Sequence, residues 1–239
     1  MMPVGVISDS IAIAIGGIIG SVLKARVSEE LKTKLNSVFG ISALAMGIMS
    51  IFLMKNMPAV IFSMIIGTTF GIALKLEKHL TNLGSQVMNR LSRSTGTSSD
   101  TNISQLVTAT ILFCASGTGI YGSMISGISG DNSVLYAKTI LDFFTALIFA
   151  CTLGNAVSLI SLPQCVIYTV LYLTAALLMP FISESMLGDF KACGGIIMLA
   201  TGFRLLKLKE LPLTDMLPAM ILVLPVSSLW SNCITELIS

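Results

Sequence analysis

Charge is scarce in this chain. Only 11% of its 239 residues are Asp, Glu, Lys or Arg, against roughly 25% in soluble domains. With 54% hydrophobic residues and a mean hydropathy of +0.90, that scarcity excludes a soluble multi-domain protein. The net charge of +2 comes with no basic face, so nucleic-acid binding is not expected. The one histidine, His79, lies beside Lys78 in a basic loop, and no metal site or Ser-His-Asp triad is expected on it. The cysteines (Cys114, Cys151, Cys165, Cys193, Cys233) are scattered, mostly within apolar runs. No C-x-x-C or Cys/His ligand spacing occurs, so they read as small buried thiols. Without an H-E-x-x-H, a paired-Asp or a Ser/Lys nucleophile arrangement, no enzyme and no cofactor are expected. The start, Met1-Met2-Pro3-Val4-Gly5, carries no basic n-region and does not read as a cleaved signal peptide.

What is present is a series of apolar runs, each of a length that crosses roughly 30 Å of hydrocarbon. They fall at about 4–23, 37–54, 58–74, 104–127, 133–160, 163–183, 190–206 and 214–235. The expected fold is all-α: a polytopic membrane helical bundle of about eight transmembrane segments, one integral membrane domain over 1–239. Its lipid bilayer is its first partner. In the first run Ala12, Gly16 and Gly20 give the small-xxx-small spacing that lets membrane helices approach closely; Gly67 and Gly71 do the same in the third. Asp9 is expected at the water interface. Ser28 with Glu29 and Glu30 reads as a helix cap with acids in the first turn, and Pro58 suits a first turn. Leu76, Leu80, Leu83, Val87 and Leu91 mark a surface amphipathic helix. A polar linker follows at Ser92 to Asn102, so 76–102 forms a cytoplasmic connection.

Loop charges give the orientation. Eleven basic residues fall on one side of this arrangement and two, Lys55 and Lys191, on the other, with both termini. The positive-inside rule places the termini outside. A repeat is also visible. Gly40-Ile41 and Leu44-Ala45-Met46-Gly47 align with Gly195-Ile196 and Leu199-Ala200-Thr201-Gly202, and Met57-Pro58-Ala59 with Leu217-Pro218-Ala219. An offset of five runs makes this an inverted repeat, with halves at about 4–75 and 163–237 around central segments at 104–160. Inverted repeats are common in secondary transporters, whose sites lie on broken helices between the halves.

The candidate site lies in those central segments. Glycines cluster from Ser116 through Gly117, Thr118 and Gly119 to Gly122, inside a run of membrane length. Such a break is tolerated only within protein or beside water. In the following run Lys138 and Asp142 are four apart and share a helix face. Asp142 lies roughly 13–15 Å along the helix, near the midplane, with Thr145 on the same face and Phe149 one turn on. A charge at that depth is by default a functional residue. Two readings stand: Asp142 binds a cation, a proton or a polar substrate group with Lys138 tuning it, or the pair is an internal lock between helices. Asp131 is expected to cap a helix, and Gly154-Asn155 to break the long fifth segment.

On these residues the chain resembles the domain of unknown function 554 family, the YqgA/YdfK-like bacterial membrane proteins. The resemblance rests on Cys-Ala-Ser-Gly-Thr-Gly-Ile-Tyr-Gly at 114–122, Gly130-Asp131, and Lys138 with Leu141 to Ala146. Asp189-Phe190, Gly194-Gly195, Ala200 to Gly202 and Leu217 to Ala219 match as well. The family's Glu after the glycine that ends the third span is Ile72 here. The resemblance implies a bacterial cytoplasmic (inner) membrane and supplies no activity. From the residues, the expected function is a small secondary transporter or ion-coupled carrier of a small polar or ionic substrate, working as a homodimer. Its expected site residues are Ser116, Gly117, Thr118, Gly119, Lys138, Asp142, Thr145 and Asn155. The alternative is a non-transporting sensor or partner-binding subunit.

Overall fold

The computed structural model describes residues 2–23, 28–79, 82, 86, 106, 109–110, 112–114 and 116–231. The structure is all-helical, with no strand among those residues. In chain order the helices are α1 (Val4–Leu23), α2 (Glu29–Ile51), α3 (Met57–Leu74), α4 (Gly117–Ser129), α5 (Ser133–Leu153), α6 (Ser161–Leu178), α7 (Glu184–Leu205) and α8 (Pro218–Leu229). Among the described residues, five stretches are long and apolar enough to cross a membrane: Val4–Leu23, Thr33–Ile51, Met57–Leu74, Ser133–Phe181 and Glu184–Leu205. The surface helix and linker expected at 76–102, the first part of the run at 104–127, and Cys233 lie largely or wholly outside the described residues.

The helices are amphipathic in the sense opposite to that of a soluble protein. On α1 the exposed residues are Ile7, Ile11, Ile15, Ile18 and Val22, while Gly5, Asp9, Ser10, Ala12, Gly16 and Gly20 are buried. On α6 Leu162, Val166, Val170, Leu173 and Leu177 face out and Gln164, Tyr168, Tyr172 and Ala175 face in. A surface of Ile, Leu and Val around an interior that takes in the small and polar residues of these helices is stable in lipid and not in water. The protein is therefore built as a membrane protein.

Contacts divide the chain into two compact units, Met1–Leu35 with His79–Leu177, and Asn36–Lys78 with Leu178–Ser239. This line differs from the expected halves, because α1 and most of α6 join the central segments.

In the first unit α1 lies along α5. A β-carbon at Gly16 would overlap the Phe143 carbonyl oxygen, and one at Gly20 that of Leu147. The small-residue stripe thus faces α5, as its spacing predicts. The fifth segment breaks where expected: Gly154 takes φ 71°, a left-handed conformation suited to glycine. A 3-10 turn, Gly154–Ile160, then leads into α6. The core beside it gathers Ile13, Leu106, Ala109, Phe113, Ala146, Ala150, Leu153, Val157 and Ile160. The cap expected at Ser28 forms, whereas at α5 the capping position falls to Asn132, one residue after Asp131. Ser28 Oγ accepts the Leu31 N–H at 3.2 Å, and Asp131 Oδ1 accepts the Ser133 N–H at 3.0 Å. The lead-in expected before the second run is continuous with α2.

In the second unit Pro58 occupies the first turn of α3, and Gly67 meets the backbone of Ala219. Between α2 and α7, Gly40 faces Gly202 and Gly47 faces Gly195. A β-carbon at either Gly47 or Gly195 would stand 2.7 Å from the other's carbonyl oxygen. Asp189 of α7, fully buried, secures the α2–α3 turn. It accepts the backbone N–H groups of Lys55 and Asn56 at 2.8 Å each, the Asn56 side-chain amide at 2.9 Å and the Ser227 hydroxyl at 2.6 Å. Four donors on one carboxylate offset its loss of water.

Asp189→Asn replaces an acceptor with an amide that faces donors. It is expected to lower stability by about 3 kcal/mol, a drop of roughly 6–12 °C in melting temperature. Ser227→Ala, which removes one donor, should cost about 1 kcal/mol. Thermal melts of detergent-purified protein check both.

Candidate functional site

The site begins with the helix face that the i, i+4 rule defines on α5. Lys138 and Asp142 form a buried ion pair, with Lys138 Nζ on Asp142 Oδ2. The close approach of α1 adds a third charge. Asp9, one turn before Ala12 on the stripe that packs against α5, sets its Oδ2 3.3 Å from Lys138 Nζ. Exposure is 0% for Asp9, 3% for Lys138 and 9% for Asp142, so all three charges have left water. Asp9 does not lie at the water interface as expected. The small residues that let α1 approach α5 carry it inside.

α6 supplies the neutral partners from one face. Gln164 Nε2 donates to Asp9 Oδ2 at 2.6 Å, and Ser10 Oγ lies 3.3 Å from Gln164 Oε1. One turn on, the Tyr168 ring centroid is 5.4 Å from Lys138 Nζ, a distance at which the ring face attracts the ammonium. The Tyr168 hydroxyl donates to the Phe113 carbonyl at 2.5 Å. That carbonyl belongs to the last helical residues before the break at Ser116, where helices leave acceptors without backbone partners.

The break itself is a helix start. Ser116 has extended backbone angles (φ −67°, ψ 126°), and its hydroxyl accepts the Gly119 N–H at 3.2 Å. Gly117, Thr118 and Gly119 form the buried first turn of α4. Gly119 lies against the cluster: a β-carbon there would overlap the Tyr168 hydroxyl and come 2.7 Å from Lys138 Cε. The absence of a side chain lets the α4 backbone rest on Lys138 and Tyr168.

Among the expected site residues, Lys138, Asp142 and Gly119 come together, and Ser116, Gly117 and Thr118 build the turn that brings Gly119 there. Thr145, half-buried one turn from Asp142, donates back to the Leu141 carbonyl at 2.7 Å. Asn155 is exposed beyond the end of α5, where its carbonyl and side-chain oxygen both lie within reach of the Ser158 hydroxyl. Roughly 17 Å of helix separates it from Asp142, so it does not join the cluster. Sequence reasoning missed Asp9, Gln164 and Tyr168. The signals were there: Asp9 shares the stripe of Ala12 and Gly16, and Gln164, Tyr168 and Tyr172 recur every four residues on an otherwise apolar helix.

The electrostatics are unbalanced. Among the described residues, two carboxylates face one ammonium. Asp9 Oδ2 holds both donors, while Asp9 Oδ1, buried, has no hydrogen-bond partner among the described residues. No group of three or more His, Cys, Asp or Glu that could hold a metal ion occurs among those residues.

Residues 4–228 match the family described as "Protein of unknown function (DUF554)". The chain belongs to that family. It is 39% identical over 231 residues to "Uncharacterized protein YqgA" of Escherichia coli (strain K12), covering 96% of this chain and 98% of the relative. It is 27% identical over 225 residues to "Uncharacterized membrane protein YdfK" of Bacillus subtilis (strain 168), covering 91% and 93%. No solved structure matches the chain.

Gly119→Ala should force Tyr168 off Phe113 and disturb Lys138, costing about 2–3 kcal/mol. At Gly122 an added β-carbon meets mainly the side chain of Leu135, at 3.0 Å. Gly122→Ala should cost about 1 kcal/mol or less, since alanine is the better helix former. Equal melting temperatures for the two variants would contradict the placement of Gly119 against the cluster.

Proposed function

We propose that this protein is a small secondary transporter or ion-coupled carrier of a small polar or ionic solute in the bacterial cytoplasmic membrane. The observation that carries the reading is the buried cluster of Asp9, Lys138 and Asp142 beside the helix break at Ser116. Buried charge is costly in a membrane interior and marks ion and substrate pathways. A helix start at that depth offers backbone N–H groups to a ligand, as broken transporter helices do.

Further support comes from the charge asymmetry, eleven basic residues against two, which favours several crossings with both termini outside. The inverted repeat is supported by the second unit. In the alignment of the repeats, Gly40 corresponds to Gly195 and Gly47 to Gly202. Exchanging the two repeats turns the contact of Gly40 with Gly202 into that of Gly195 with Gly47, and both contacts occur. That is the behaviour of a two-fold pair running in opposite directions. A homodimer completes the proposal, since a chain of this size has few helices with which to enclose a path.

One observation favours the alternative of a non-transporting sensor or partner-binding subunit. Lys138 is held by two carboxylates and an aromatic ring, as a structural lock would be.

The test is solute-evoked current or uptake in proteoliposomes of the full chain, screened over amino acids, small carboxylates and inorganic ions. At least one solute is expected to give a signal that Asp142→Asn reduces tenfold or more. No signal from any solute, with Asp142→Asn altering stability alone, would overturn the carrier reading in favour of the lock.

A further inference from the structure

We infer that the Asp9–Lys138–Asp142 cluster binds one small monovalent cation, a proton or a sodium ion, at Asp9, in addition to the ammonium it already holds. The inference rests on the proposal that this cluster is the working site, and names the coupling species.

Charge gives the first reason. Among the described residues, the groups facing the cluster are Asp9 from α1, Lys138 and Asp142 from α5, and Tyr168 and Gln164 from α6. The buried Cys114 thiol lies within electrostatic reach of Lys138 and Asp142. α4 brings no charged residue to it. With the tyrosine and thiol neutral, two carboxylates and one lysine leave a single negative charge away from water. An uncompensated buried charge is among the most costly features a protein can hold. One monovalent cation cancels it, whereas a divalent ion would leave the reverse imbalance.

Geometry gives the second reason and locates the cation. Lys138 and Gln164 both converge on Asp9 Oδ2, leaving Oδ1 without a donor among the described residues although it is buried. Buried carboxylate oxygens ordinarily accept at least one hydrogen bond. The ammonium of Lys138 bridges the Oδ2 atoms of the two carboxylates, so Asp9 Oδ1 is the oxygen left to an added cation. There a proton would bind Oδ1 itself, and a sodium ion would take Oδ1 as a ligand. Binding there weakens the hold of Asp9 on Lys138. This gives the cluster two charge arrangements, one with Lys138 shared between both carboxylates and one with it left to Asp142.

The experiment uses the full chain in detergent and reads melting temperature. One arm exchanges choline for sodium at fixed ionic strength and pH. The other varies pH from about 5 to 9 in choline. A sodium site raises the wild-type melting temperature by about 3 °C or more in the first arm. A proton site gives stabilisation of similar size as pH falls in the second. In either case Asp9→Asn, which removes the excess charge, is expected to be flat in the same arm. Asp142→Asn removes the same excess from the other side, is expected to be flat too, and decides the matter if Asp9→Asn does not fold. A wild type flat in both arms, or a response that survives in both variants, overturns the inference. A response lost in the variants, with no solute transported in proteoliposomes, keeps the cation site and removes the carrier. Transport indifferent to sodium and pH keeps the carrier and removes the cation site.

Discussion

The first unit depends on how a lysine is kept charged away from water. Lys138 sits in the second turn of α5, in a segment whose outer face is apolar, where an isolated ammonium would be costly. It is held there by Asp142 one turn along α5, by Asp9 across the α1–α5 contact, and by the face of Tyr168. Each holder imposes a structural condition. Asp9 reaches Lys138 because Gly16 and Gly20 let α1 lie on the α5 backbone. Tyr168 reaches it because α6 buries a polar face, and Gly119 lets the first turn of α4 rest on both. The small residues, the helix break and the polar stripe of α6 answer one requirement.

The second unit meets the same constraint differently. Asp189 is also fully buried, but backbone and side-chain donors surround it and no ammonium is needed. Its carboxylate organises a turn and ties it to α8 through Ser227. The contrast separates the roles of the two sites. Asp189 is satisfied by the donors around it, whereas Asp9 keeps one oxygen without a partner among the described residues.

Much of this was legible in the sequence because lipid makes the patterns strict. Run lengths near that of a membrane crossing located α1, α3 and α5 closely. The glycines of α1 announced a close approach, and Ser116, Gly154 and Ser28 announced breaks and a cap that form. Lys138 with Asp142 was visible from spacing alone. What was not legible is which helix lies against which. Asp9 near a chain end reads as solvated until α1 is laid on α5, and Gln164 and Tyr168 are ordinary until α6 turns that face to Asp9. Asn155 was drawn into the site by its polarity, yet the helix ends before it and leaves it exposed. Order along the chain does not tell that α1 packs with the central segments.

The most direct test of a charge cluster spanning α1 and α5 is a double-mutant cycle on Asp9 and Lys138, read as unfolding stability. Lys138→Met alone should cost about 3–5 kcal/mol, since it strands two buried carboxylates. Adding Asp9→Asn should return part of that loss, giving a coupling of more than about 1 kcal/mol. Effects that add to within about 0.5 kcal/mol would show that Asp9 and Lys138 do not share a site, and would contradict the cluster.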